Sequence, residues 1–253
     1  MDVTERERAE AAERAVRERD TFPAVAAHEL RTPLTGLRAF TQLLLRRMDK
    51  AALADPDPET TRRALRQIER QTEKLRLLGD QLLDVTRLEG GRLALERRDT
   101  DLAALAREVA RAMQVQTDAH RLVVSAPPAL RAFANPVRVE QVLTNLLTNA
   151  IKYSPRGGTI TVAVGATPDG DVRLVVEDRG LGVPPEHRPH IVDRFYRAHE
   201  GDYRSGPGLG LHIGRELVAL HGGRLHAEFP PEGGGRFVAT LPVDPREAGP
   251  PAG

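Results

Sequence analysis

From Leu30 onward apolar residues recur in alternating steps of four and three, through Leu34, Leu37, Thr41, Leu44 and Met48. That alternation is the seam of a helix packed in a coiled-coil-like bundle. Asp55-Pro56-Asp57-Pro58 breaks it, because two prolines in three residues cannot continue a helix. A second run follows with Leu65, Ile68, Leu75, Leu78, Leu82, Val85 and Leu88 on one side, and it stops at Gly90-Gly91. Two long helices joined by a short breaker predict an antiparallel hairpin over residues 21–90. A lone hairpin cannot cover both apolar stripes, so pairing of two copies into a four-helix bundle is the expected completion. Ahead of it, residues 1–20 carry seven acids and five arginines among weak apolar positions, the pattern of an exposed, charged helical leader. Pro23 predicts that the first helix either begins nearby or is kinked there.

Beyond the hairpin the period changes. Asp101 to Thr117 reads as helical, and residues 122–124 and 132–134 as short strands. Asn135-Pro136 is a helix entrance, a capping side chain followed by proline at the first helical position, and the helix runs to about Tyr153. Thr159 to Val164 and Val172 to Asp178 alternate on either side of Pro168-Asp169-Gly170, a hairpin signature. Helices are predicted around 185–197 and 209–220, and closing strands at 224–229 and 236–241. The expected fold class is therefore α+β: a helical hairpin followed, over 98–244, by an α/β sandwich, with a disordered tail at 245–253.

Composition narrows the chemistry. The chain has 253 residues, 40% hydrophobic and 29% charged, the balance of a soluble globular protein. Cysteine is absent, which removes disulfides, thiolate zinc sites, iron–sulfur clusters and cysteine nucleophiles. A net charge of +1 speaks against a protein that works by coating nucleic acid, and 4% aromatics with no tryptophan against single-strand stacking platforms. The longest stretch without a charged side chain, Gly157 to Pro168, falls short of the roughly 20 apolar residues that span a bilayer. No membrane span and a cytoplasmic location are expected, although a soluble partner of a membrane receptor would have the same composition.

Two constellations carry chemistry. With Leu30, Leu37 and Leu44 at one seam position and Leu34, Thr41 and Met48 at the other, His28, Glu29 and Thr32 all point away from the bundle core. An exposed histidine, mostly neutral at cellular pH, offers a nitrogen lone pair to a phosphoryl group. Glu29 beside it can orient the ring and take its proton, and the Thr32 hydroxyl one turn along can hold a water for hydrolysis. The second constellation lies on the helix after Asn135. Opposite its apolar stripe (Val139, Val142, Leu143, Leu146, Leu147, Ile151) runs a polar face of Arg138, Gln141, Asn145, Asn149 and Lys152. Amide oxygens suit Mg²⁺, a hard cation, and Lys152 suits phosphate. Asp178 shares parity with Val172, Leu174 and Val176, so its carboxylate faces inward and needs a partner, which a base amino group would supply. Gly180-Leu181-Gly182 follows, and Gly206-Pro207-Gly208-Leu209-Gly210-Leu211 leads into a helix whose first N–H groups form an anion site. The latter fits neither the dinucleotide fingerprint nor the Walker pattern.

His28-Glu29-Leu30-Arg31-Thr32-Pro33-Leu34 resembles the phosphoacceptor box of bacterial sensor histidine kinases. The later segments resemble, in order, the ATP-binding domain shared by histidine kinases, DNA-gyrase-type topoisomerases and Hsp90 chaperones. Residues 145–155 match the N box, Asp178 to Gly182 the first glycine box, Arg194-Phe195-Tyr196-Arg197 the segment around the F box, Gly206 to Leu211 the second glycine box and Gly233 to Phe237 the last. The likeness implies ATP and Mg²⁺ as cofactors, with Asn145 and Asn149 near the metal and phosphates, Lys152 and Tyr153 on the nucleotide, and Asp178 on the adenine amino group. It further implies Arg197 on the γ-phosphate, Gly180, Gly182, Gly206, Gly208, Leu209, Gly210 and Leu211 around the nucleotide, and Ala198 to Ser205 as a lid. The implied function is ATP-dependent autophosphorylation on His28, transfer to an aspartate of a response-regulator receiver domain, and dephosphorylation of that regulator, by a homodimer. Two other readings stand beside it: a catalytically weak nucleotide-binding adaptor, and a free-standing ATPase. Against the second, the gyrase and chaperone relatives place a glutamate base one turn before the first asparagine, where this chain has Gln141, and an amide cannot take a proton.

Overall fold

A computed structural model describes residues 3–51, 58–198 and 207–243, with side chains in the first helix described from 22 to 48. Residues 55–57 of the breaker, Gly206, most of the lid segment and the tail lie outside the described residues, as do the side chains of the leader. The chain divides into two compact units, 1–86 and 87–253.

The first unit is a helical hairpin of α1 (Val3–Ala51) and α2, which starts at Pro58 and runs to Glu89, just past the unit boundary. Helix α1 does not begin at Pro23: it runs through both Pro23 and Pro33. Proline's fixed φ is compatible with a helix, and each internal proline costs the hydrogen bond its missing N–H would make without ending the helix here. The buried stripe of α1 is centred on Ala26 and Pro33. The seam read from sequence is only half covered. Leu30, Leu37 and Leu44 are half-buried, while Leu34 is 53% exposed and Met48 71%. On α2, Ala64, Leu78 and Val85 are buried, and Leu65, placed on the apolar side by its spacing, is exposed.

The second unit is a mixed sheet with helices on one face. Its strands are β1 (Arg98–Asp101), β2 (His120–Ser125), β3 (Arg131–Ala134), β4 (Gly158–Ala166), β5 (Val172–Asp178), β6 (Arg224–Glu228) and β7 (Gly235–Leu241). The main sheet has the order β2-β4-β5-β7-β6, parallel only between β2 and β4, and β1 pairs with β3 in a separate ribbon. The helices are α3 (Leu102–Gln114), α4 (Pro136–Tyr153) and α5 (Gly210–Leu220). Asp101 caps α3 by accepting from Ala103 and Ala104 N–H, and Asn135 caps α4 by accepting from Arg138 N–H. Leu143, Leu146 and Leu147 of α4 are fully buried with Ile160, Leu174, Ile213 and Leu217, and this core fixes α4 across the sheet. Strand β1 is absent from the sequence reading, since Arg98-Asp99-Thr100-Asp101 has no apolar alternation; pairing with β3 alone makes it a strand. The helix expected over 185–197 is reduced to a 3₁₀ turn, Pro185–His190. Pro189 lies inside that turn and lacks the N–H an α-helix would use, and Phe195 has φ 60°, outside any right-handed helix.

Candidate functional site

Along β5 the residues of the predicted parity, Val172, Leu174 and Val176, are buried, as is Val175 of the opposite parity, and the same parity carries the Asp178 carboxylate to the strand end, 5% exposed. Its Oδ1 accepts from Gly180 N–H at 2.8 Å. Burial pushes this carboxyl above the usual range, against the pull of the Gly180 and Gly235 N–H groups. A donor from a ligand would favour the charged form. Gly180 is required by the turn: a Cβ there would sit 2.1 Å from the Tyr153 carbonyl oxygen, which accepts from Leu181 N–H at 2.9 Å. Register pairs Asp178 with Gly235, and so sets the last glycine-rich turn against the carboxylate.

Beside this carboxylate opens a cleft lined by Asn149, Tyr153, Asp178, Gly182, Val183, Ile191, Tyr196, Arg197, Ala198, Leu211, Gly235 and Phe237. The lining is mostly apolar with a few polar groups, the make-up of a small-molecule site. Of the residues singled out by sequence, Asn149, Tyr153, Asp178, Gly182, Arg197 and Leu211 meet here. Others stand one layer back. Asn145 donates from Nδ2 to the Gly210 carbonyl at 3.0 Å, tying α4 to the first turn of α5. Lys152 donates from Nζ to the Tyr153 hydroxyl at 2.9 Å and lies 4.4 Å from that ring's centroid, so it reaches the cleft through Tyr153. Gly208, φ 74°, lets the chain pass the Phe195–Tyr196 backbone, which a Cβ would meet at 2.8 Å. Leu209 is buried as the residue preceding α5. Gly206 falls outside the described residues.

Gln141 accepts from Arg138 Nη1 at 2.8 Å, so the position of the relatives' catalytic glutamate is held as a neutral acceptor. Among the described residues no group of three His, Cys, Asp or Glu side chains could hold a metal ion. The Asn145 amide has its nitrogen committed to Gly210, and Asn149 faces the cleft. Oxygen donors of this kind fit Mg²⁺, which takes few protein ligands beside phosphates and water.

In the first unit His28 and Thr32 are exposed, and the Thr32 hydroxyl donates to the His28 carbonyl at 3.3 Å. Glu29 departs from expectation: it is half-buried and engaged, because position 29 borders the buried stripe through Ala26 and Pro33.

Two family matches decide the class. Residues 18–91 match the His Kinase A (phospho-acceptor) domain, and residues 134–245 match the histidine kinase-, DNA gyrase B- and HSP90-like ATPase domain. The chain belongs to the sensor histidine kinases. Among similar proteins, the signal transduction histidine-protein kinase AfsQ2 of Streptomyces coelicolor is 35% identical over 88% of this chain and 42% of its own length. The histidine-protein kinase/phosphatase MprB of Mycobacterium avium is 34% identical over 90% of this chain and 43% of its own. The histidine kinase ThkA, solved in complex with the response regulator protein TrrA, has a TM-score of 0.68 and 28% identity, over 98% of this chain and 69% of that one. The chain thus spans less than half the length of AfsQ2 and MprB. Among the described residues no helix is long and apolar enough to cross a membrane.

For this histidine kinase, the sequence reading of the site missed Val183, Ile191, Tyr196, Gly235 and Phe237 as cleft walls, whereas Ala198 was named as the start of the lid. Tyr196 and Phe237 carried a signal, as two of few aromatics inside matched boxes. Val183 and Ile191 carried none, since ordinary apolar residues line a cleft only by tertiary placement.

Proposed function

We propose that this chain transfers the γ-phosphoryl group of ATP to His28 and then to an aspartate of a response regulator. A ring nitrogen of His28 attacks the γ-phosphorus in line, the bond to the bridging oxygen breaks, ADP leaves, and Glu29 takes the ring proton. Asp178 accepts from the adenine amino group, Tyr153 and Lys152 support the nucleotide, and Arg197 meets the γ-phosphate. Asn145 and Asn149 would hold Mg²⁺, which supplies charge neutralisation at the phosphates.

The observation that carries this reading is the inward Asp178 carboxylate at the wall of an apolar cleft, in a chain that also presents an exposed histidine within the phosphoacceptor box. Gln141 supports transfer to protein over hydrolysis, because an amide held by Arg138 cannot activate water. The kinase/phosphatase name of MprB supports a second activity, dephosphorylation of the regulator. The ThkA–TrrA complex supports a receiver-domain partner.

Incubation with γ-labelled ATP tests the reading. Acid-labile, base-stable label is expected on the wild-type chain and none on His28→Gln. Absence of label with intact ATP binding would leave an adaptor, and steady hydrolysis unchanged in His28→Gln would make the protein an ATPase.

A further inference from the structure

We propose that His187, which lies outside the cleft, is a positioning residue for nucleotide binding: it holds the Tyr196 ring in the cleft wall. The inference rests on reading the cleft as the ATP site. Tyr196 lies on a stretch, 191–198, without helix or strand to fix its side chain, directly after Phe195 with φ 60°. A wall residue on such a segment must be ordered by contacts, or binding has to order it at a cost in affinity. His187 supplies the contact. Its Nδ1 is 2.6 Å from the Tyr196 hydroxyl, and the two rings lie 5.9 Å apart at 54°. His190 packs on the same ring at 5.4 Å, itself held by Asp193 at 2.9 Å.

The 3₁₀ turn acts here as a bracket. From the same turn Arg188 donates to the carbonyl of Val183, another wall residue, at 3.0 Å, and its guanidinium stacks over Phe229 at 4.5 Å. His187, Arg188 and His190 do not line the cleft, yet each of them touches a residue that does. A neutral imidazole accepts from the phenol or donates to its oxygen according to tautomer.

The test uses the full chain and four variants: His187→Ala, Tyr196→Phe, the double variant, and His187→Asn, whose amide reaches the place of Nδ1. Affinity for Mg·ADP is measured by calorimetry, labelling rate at saturating ATP by autophosphorylation, and stability by thermal melting. Loss of one neutral hydrogen bond raises Kd about three- to tenfold in each single variant, leaves the double no worse than the weaker single, and His187→Asn returns to within about twofold of wild type. The saturating labelling rate of the His187 variants stays at the wild-type level. Multiplicative losses in the double variant, equal impairment by Ala and Asn, or a melting temperature that falls in step with affinity would each overturn the assignment. A wild-type chain that binds no Mg·ADP would overturn the ATP site itself, whereas intact wild-type binding with an indifferent His187→Ala overturns only the role of His187.

Discussion

A carboxylate and a hydroxyl define the chemistry at the scale of single residues. Asp178 was legible because β-strand parity put it among valines, and a buried carboxylate without a partner is costly. Asp178→Asn is expected to weaken Mg·ADP binding about tenfold or more, the worth of a hydrogen bond to a charged group. Calorimetry that finds unchanged affinity would remove its adenine role. Because burial raises this carboxyl, wild-type affinity should also fall as pH drops and the acceptor is protonated. Thr32 is exposed one turn from His28, with its hydroxyl proton given to the His28 carbonyl and its lone pairs left toward solvent. Thr32→Ala should slow dephosphorylation of the partner regulator about tenfold or more while autophosphorylation changes little. Equal loss of both rates would count against a water-holding role. The engagement of Glu29, by contrast, was not legible, since a heptad fixes directions on a helix and not which side a partner helix covers.

At the scale of elements, α5 stores a pH dependence that its sequence does not advertise. His212 is buried, accepts from Arg194 Nε at 3.0 Å through Nε2, and has Arg215 at 3.3 Å from Nδ1. Burial, then the charges of Arg194 and Arg215, push it down to about 4 from 6.5. The unfolded chain therefore binds the proton first, so the stability held above pH 6.5 is lost as pH falls toward 4. His221, lowered by burial, acts in the same direction, while the raised Asp178 acts in the opposite one at the acid end. The His212 share is at most about 3 kcal/mol. Urea unfolding of the wild type should show this slope, and His212→Gln should flatten it; an unaltered slope in the variant would sink the assignment. The elements themselves were largely legible where caps and periodicity agreed, as at Asn135-Pro136. They were not legible at 185–197, where Pro185, Pro189 and a strained Phe195 replace the expected helix with a turn and a loop.

At the scale of the whole molecule, the exposed Leu34 and Met48 beside a half-covered seam favour a second copy as the missing partner. Sedimentation of the wild type should give a dimer, and Leu34→Glu with Met48→Glu should shift it to monomer, because each buried apolar side chain contributes roughly 1.5–3 kcal/mol. A monomeric wild type would refute that completion. Sequence alone determined the order of hairpin and α/β domain, the exposed His28, the inward Asp178 and the neutral Gln141, because helix phase, strand parity and side-chain chemistry are local properties. Tertiary structure alone decided that β1 is a strand, that Val183 and Ile191 wall the cleft, and that Asn145 and Lys152 stand behind it. Those facts depend on which distant segments pack together, and nothing in a local period encodes a contact between a turn at 187 and a ring at 196.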